Sequence, residues 1–181
     1  MNNNVTILIF STREGGNCAG VSNVITNFYN QTNVRSFVVE MNPCGRCNYE
    51  CLSPGVSCPN VDDQQKEIMD AVCRSDIVYM IVPNFCGYPC ANYFAFNERS
   101  VGYFNMDREL TKRYMSVKKR FIVISNTEGD NFRNALQQQT NEEPVILYLK
   151  SGKYKKRSTA GDIMESEEAV ADLMEFLQNN C

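Results

Sequence analysis

Histidine is absent from the 181-residue chain, which removes the commonest general base and the usual Ser/His/Asp and Cys/His nucleophilic mechanisms. Any chemistry then falls mainly to a cofactor. A positive excess is missing as well: 18 Lys and Arg stand against 21 Asp and Glu, a net charge of -3, so no broad basic surface is offered to nucleic acid. No apolar run approaches the length of a membrane span. Residues 1–4 (MNNN) carry neither a basic region nor the apolar stretch of a secretory signal. A cytoplasmic protein with no nucleic-acid and no membrane partner is expected. Internal repeats and low-complexity linkers are also missing, and 181 residues fit a single domain spanning 1–181. Neither a Walker A loop nor a Gly-x-Gly-x-x-Gly turn occurs, which disfavours a nucleoside triphosphate.

What is present alternates. Short β-rich apolar runs at 5–10, 34–39, 77–82, 121–125 and 145–149 read as strands. Between and after them, residues 17–30, 62–74, 89–115, 131–139 and 165–178 carry helical patterns. In the first of these Val21, Val24, Ile25 and Phe28 share a face and Asn17 is placed to cap the start. Strands alternating with helices predict an α/β fold with a parallel sheet, right-handed crossovers and helices on both faces. Two stretches stand outside the alternation: a cysteine-bearing loop at about 43–60 and a basic cluster at 150–157, which reads as a solvated turn.

Open parallel sheets bind ligands at the carboxyl ends of their strands, beside the topological switch point, so the loops after the first, third and fourth strands hold the candidate site. The first loop supplies Ser11, Arg13, Gly16, Asn17 and Cys18: a hydroxyl, a cation, loosened backbone amides and the positive end of a helix dipole, which suit a phosphate. Conformational demand alone also places Gly, Ser and Asn in such turns. The second loop, Pro83, Asn84, Phe85, Cys86, Gly87 and Tyr88, is rigid and aromatic and suits a planar ring, with core packing of its aromatics as the other reading.

These residues resemble a family. Ser11-x-Arg13-x-x-Gly16-Asn17, then Asp62-Asp63 opening a helix, Asp76-Ile77-Val78 leading to Pro83-x-Phe85-x-Gly87, and Phe96-Asn97-Glu98-Arg99 look like the NADPH-dependent FMN reductases of the flavodoxin-like fold. The resemblance covers about 5–127. It implies a three-layer α/β/α sandwich with a five-stranded parallel sheet in the order 2-1-3-4-5. FMN would place its phosphate on Ser11, Arg13, Asn17 and Cys18 and its ring against Pro83 to Tyr88, with Ser125, Asn126, Thr127 and Gly129 closing the far side. NADH or NADPH would donate electrons, and a small molecule or redox protein would accept them. A homodimer or homotetramer is usual in the family, with the aromatic segment 93–114 as the expected interface. Cys18 stands where the family has Thr or Ser, Glu14 adds a negative charge, and Phe94 stands where Lys is common.

Nine cysteines in a reducing compartment do not read as a disulfide framework. Cys44, Cys47, Cys51 and Cys58 fall within fifteen positions, and four thiolates suit a four-iron cluster or a tetrahedral zinc. The spacing resembles the iron-sulfur flavoprotein branch of the same fold, with three residues rather than two between the second and third cysteines. Free or redox-active thiols are the further alternative. Cys73, Cys86 and Cys90 are expected as small buried apolar residues. From another class, a non-catalytic cysteine-rich module holding zinc or a protein partner is the rival to an FMN-dependent oxidoreductase.

Overall fold

The computed structural model describes residues 3–29, 33–45, 47–105, 107–126 and 130–181. Residues 1–2, 30–32, 46, 106 and 127–129 lie outside the described residues, so the expectations for Thr127 and Gly129 have no structural account.

Five strands of five to nine residues form the parallel sheet: β1 (Val5–Ile9), β2 (Val34–Val38), β3 (Ile77–Phe85), β5 (Lys118–Ser125) and β6 (Val145–Lys150). A two-residue strand, β4 (Tyr88–Pro89), folds back antiparallel on β3. The order β2-β1-β3-β5-β6 is the expected 2-1-3-4-5 once β4 is set aside. All four long pairings are parallel, with Ile7 opposite both Ser36 and Tyr79.

Strict alternation along the strands makes two cores. On one face Leu8, Val78, Met80, Val82, Phe121 and Val123 meet α2 (Gln65–Arg74), α3 (Ala91–Phe104), α4 (Arg108–Ser116) and α5 (Asp130–Gln137). On the other, Val5, Ile7, Ile77, Tyr79, Ile81 and Ile122 meet α1 (Asn17–Phe28) and α6 (Glu167–Asn180). Residues 77–82 of β3 are fully buried on both faces, each large aliphatic worth about 1.5–3 kcal/mol when taken from water. Among the described residues no helix is long and apolar enough to cross a membrane.

Three features differ from expectation for local reasons. The helical stretch 89–115 is two helices: Asn105 closes α3 in the left-handed region, and the Asp107 carboxylate caps α4 by accepting from the Leu110 amide at 2.9 Å. β3 runs three residues beyond Val82, through Pro83, because past Ile81 it has lost β1 as a neighbour and no longer needs donors on both edges. The basic cluster is partly an ion-pair array rather than free charge. Lys153 meets Asp172 at 2.5 Å, and Lys156 meets Asp162 and Glu165 at 3.2 Å each.

One cation is sealed in the core beside α4. Lys119 on β5 donates to the Tyr114 carbonyl and, at 3.3 Å, to the Val117 carbonyl, with its ammonium 4.1 Å from the Tyr114 ring centre. Burial pulls its pKa from an ordinary 10.5 to about 7. Between those values the unfolded chain holds a proton that the folded chain lacks, so rising pH favours folding across that window. Urea unfolding of the wild type, compared with Lys119→Met, should show a stability difference that moves toward the wild type as pH climbs from about 7 to 10. Parallel pH profiles would contradict it.

Candidate functional site

The carboxyl ends of β1 and β3 lie side by side in the sheet, and the Phe10 amide continues the pairing by donating to the Ile81 carbonyl at 3.0 Å. Beyond Phe10 the chain turns through Ser11 to Gly16 and enters α1. Gly15 supplies a left-handed φ of 62°, and Gly16 is the N-cap, extended and with no side-chain cap. The first amides of α1 are thus left without a side-chain acceptor at the positive end of a twelve-residue helix.

Asn17, expected to cap, is the first residue inside the helix and is buried. Its amide nitrogen donates to the Ser158 carbonyl at 2.8 Å, and its oxygen accepts from the Ile163 amide at 2.9 Å. Arg13 donates from Nη1 to the Thr159 carbonyl. Gly161, with φ 89°, lies so close that a Cβ there would meet the Gly15 carbonyl oxygen at 2.7 Å. The segment 158–163 therefore straps the loop after β1 from outside. Sequence reasoning missed Ser158, Thr159 and Gly161; a glycine among small polar residues signalled a turn and nothing of its partner.

Cys18 lies under the same loop. Burial, then the neighbouring Cys90 thiol, raises its pKa to about 12, while Ser11 opposes the shift through a hydrogen bond. The thiol is neutral, so the departure from Thr or Ser adds no charge where an anion would sit. Glu14 is exposed to solvent.

The segment after β3 is a hairpin. Phe85 pairs with Tyr88 and Asn84 with Pro89 across a Cys86-Gly87 turn whose φ values of 54° and 88° are both positive, as a type I′ turn requires. Asn84 ties the hairpin down: its amide nitrogen donates to Ser125 Oγ at 2.6 Å and its oxygen accepts from the Gly87 amide at 2.8 Å. Phe85 and Tyr88 stand 62% and 50% exposed, so the hairpin presents flat apolar faces outward. Cys86 is exposed at the tip, against the expectation of burial. Cys90 and Cys73 are buried as expected, Cys90 donating to the Phe10 carbonyl at 3.0 Å and so joining the base of the hairpin to the loop after β1. Ser125 ends β5 and is buried. Asn126 is exposed and bonds to Ser151 and to Ser158 Oγ, extending the strap. Of the expected interface aromatics, Tyr93, Phe96 and Tyr114 are core residues, whereas Phe94 is exposed.

The cysteine loop after β2 is held by Arg99 of α3, 1% exposed. The guanidinium donates to Asp63 at 2.6 Å, to the Asn42 and Asn60 carbonyls at 3.0 and 2.7 Å, and to Gln65 Oε1 at 3.1 Å. The Asp-Asp and Asn-Glu-Arg segments of the sequence motif are thus partners that fix this loop at both ends. Among the described residues no group of three or more Cys, His, Asp or Glu stands in a metal-holding arrangement. The expected tetrathiolate set of Cys44, Cys47, Cys51 and Cys58, for a four-iron cluster or zinc, is therefore not formed. Cys51 and Cys58 turn against Gly102 of α3 instead.

No protein-family model matches the chain, and no characterised protein matches it by sequence. Solved structures match its fold. The Trp repressor binding protein from Bacillus subtilis aligns over 96% of this chain and 97% of its own, with a TM-score of 0.60 and 14% identity. The apo form of an NADH:FMN oxidoreductase, EMOB, aligns over 99% and 91%, with a TM-score of 0.55 and 11% identity. FerB, a flavoenzyme NAD(P)H:(acceptor) oxidoreductase from Paracoccus denitrificans, aligns over 97% and 96%, with a TM-score of 0.54 and 11% identity. At such identities the shared property is the flavodoxin-like fold.

Two substitutions probe this arrangement. Asp63→Ala leaves a buried guanidinium without its carboxylate and should cost about 3–5 kcal/mol in urea unfolding. A loss below about 1 kcal/mol would mean that the carbonyls hold Arg99 unaided. Gly161→Ala sets a Cβ against backbone at a left-handed φ, so hydrogen exchange at the Ile163 amide should accelerate as the strap lifts from Asn17. Unchanged protection there would show that the contact is not sustained in solution.

Proposed function

We propose that this chain is an FMN-dependent oxidoreductase that takes hydride from NADH or NADPH and delivers electrons to an acceptor. The observation that carries the reading is the juxtaposition of the uncapped α1 start with the exposed aromatic hairpin, one on each of two adjacent strand ends. The residues fit such a group. The first amides of α1, which no side chain caps, together with the Ser11 hydroxyl suit a phosphomonoester. Pro83, Phe85 and Tyr88 suit a planar apolar ring, and Ser125 and Asn126 border it on the β5 side.

Bound FMN supplies the hydride chemistry, so no protein acid or base is required, in agreement with the missing histidine. The chain's own residues bind, orient and exclude water. Asn84 fixes the hairpin tip through Ser125 and Gly87, which sets where the aromatic faces stand. Neutral Cys18 keeps the floor of the anion site uncharged. Arg13 adds positive charge at the rim even while it bonds the Thr159 carbonyl. The fold shared with an NADH:FMN oxidoreductase and with FerB supports this reading.

Anaerobic titration of the chain as purified, with its metal content measured, against FMN and riboflavin, read by flavin fluorescence, tests it. Saturable FMN binding is expected, with bleaching on addition of NADH or NADPH. Arg13→Ala should weaken FMN and leave riboflavin untouched. Phe85→Ala and Tyr88→Ala should each weaken both by about tenfold, equivalent to roughly 1.4 kcal/mol. A colourless chain that binds neither flavin and carries stoichiometric zinc would overturn the proposal in favour of a non-catalytic module.

A further inference from the structure

The loop between β2 and α2 contains a symmetry that the metal reading does not use. Pro54-Gly55 forms a tight turn, with Gly55 at φ 79° and the Val56 amide donating to the Ser53 carbonyl at 3.1 Å. The one-turn 3-10 helix Glu50–Leu52 runs into this turn, which reverses the chain between Cys51 and Cys58.

α3 confirms the return in space. A Cβ placed on Gly102 would lie 3.2 Å from the Cβ of Cys58, 3.7 Å from the Cβ of Cys51 and 3.5 Å from its sulfur. Both side chains converge on one point of the helix, and a Cβ at Gly102 would press on Cys58. The three atoms nearest that point all belong to Cys51 and Cys58. Cys51 is buried and Cys58 half-buried, so one thiol is accessible and the other shielded. The Arg99 guanidinium lies beside Cys58. A cavity of about 410 Å³ lined by Cys44, Tyr49, Cys51, Leu52, Cys58 and Glu98, among others, admits a small reagent to the pair.

We propose that Cys51 and Cys58 form a reversible dithiol–disulfide site that reacts with small-molecule disulfides, glutathione disulfide being the type. The Cys58 thiolate attacks one sulfur of the reagent, forming a mixed disulfide and releasing one thiol. The Cys51 sulfur then attacks Cys58, closing the Cys51–Cys58 bond and releasing the second thiol. Two protein thiols are oxidised and one small-molecule disulfide is reduced. The two protons from the cysteines end on the released thiols, so atoms and electrons balance. Excess small-molecule thiol reverses both steps. Closure pins the loop across the mouth of the cavity, against α3.

The test uses the full native chain equilibrated with glutathione and glutathione disulfide over a range of ratios, acid-quenched, alkylated and mapped by mass spectrometry. A loss of two alkylatable thiols with a Cys51–Cys58 linkage is expected, reversible on adding glutathione. Cys51→Ser removes the resolving thiol and should trap one glutathione on Cys58. Cys58→Ser should leave Cys51 free over the same period. A linkage to Cys44 or Cys47 instead, or Cys58 fully alkylated at every ratio, would overturn the proposal. The wild-type map decides the question even where a variant folds poorly.

Discussion

Everything at the carboxyl edge of this sheet depends on β1 being hydrogen-bonded on both sides at once. Its five residues are backbone donors and acceptors to β2 on one edge and to β3 on the other, with no slack in register. Because β2 and β3 flank it on opposite sides, the crossovers through α1 and α2 cover opposite faces, and the loop that leaves β1 emerges at the point where strand order reverses. A parallel ladder buried on both faces resists sliding by one residue, since a slip would turn every inward side chain outward. The loop after β1 and the hairpin after β3 are therefore neighbours by topology. The Cys90 bond to the Phe10 carbonyl adds a local tie to a placement already imposed.

On this rigid edge each irregular segment is held by one polar side chain acting on main chain. Asn17 holds the strap, Asn84 holds the hairpin and Arg99 holds the cysteine loop. An amide or guanidinium offers several donors or acceptors in one plane, so one residue satisfies groups that a loop otherwise leaves unpaired. Arg99 also needs a counter-charge, because a guanidinium sealed from water is costly on its own, and Asp63 provides it. Loops that bind ligands stay positioned in this way without regular secondary structure of their own.

Legibility in the sequence followed the range of the interaction. The strands at 77–82 and 121–125 were visible because burial on both faces demands unbroken apolar runs, and the faces of α1 and α6 because helical spacing repeats. The break between α3 and α4 had local signals, Asn105 and Asp107, and still went unread inside a long aromatic stretch. The expected strand stops at Val82, before Pro83, whereas a proline is tolerated where β3 no longer has β1 beside it. The Asp63 and Arg99 partnership was present in the sequence as two separate motif segments, thirty-six positions apart, and only the fold shows that they meet. Asn17 is the sharpest case. Its position before an apolar helical pattern is that of a cap, and nothing near it in the chain tells that its partners lie beyond β6.

The strap bears on how an anion would be held. Arg13 and Asn17, both expected on the phosphate, are directed at carbonyl oxygens of residues 159 and 158, which would repel a phosphate placed among them. The amides at the start of α1 have no such competitor and carry the helix dipole besides. Recognition by backbone depends on loop shape rather than on side-chain identity. It therefore tolerates Cys18 in place of a hydroxyl so long as the thiol stays neutral, and burial ensures that it does. The geometry of Gly15, Gly16 and Gly161, where backbone packs on backbone, is then the part of the site least open to substitution.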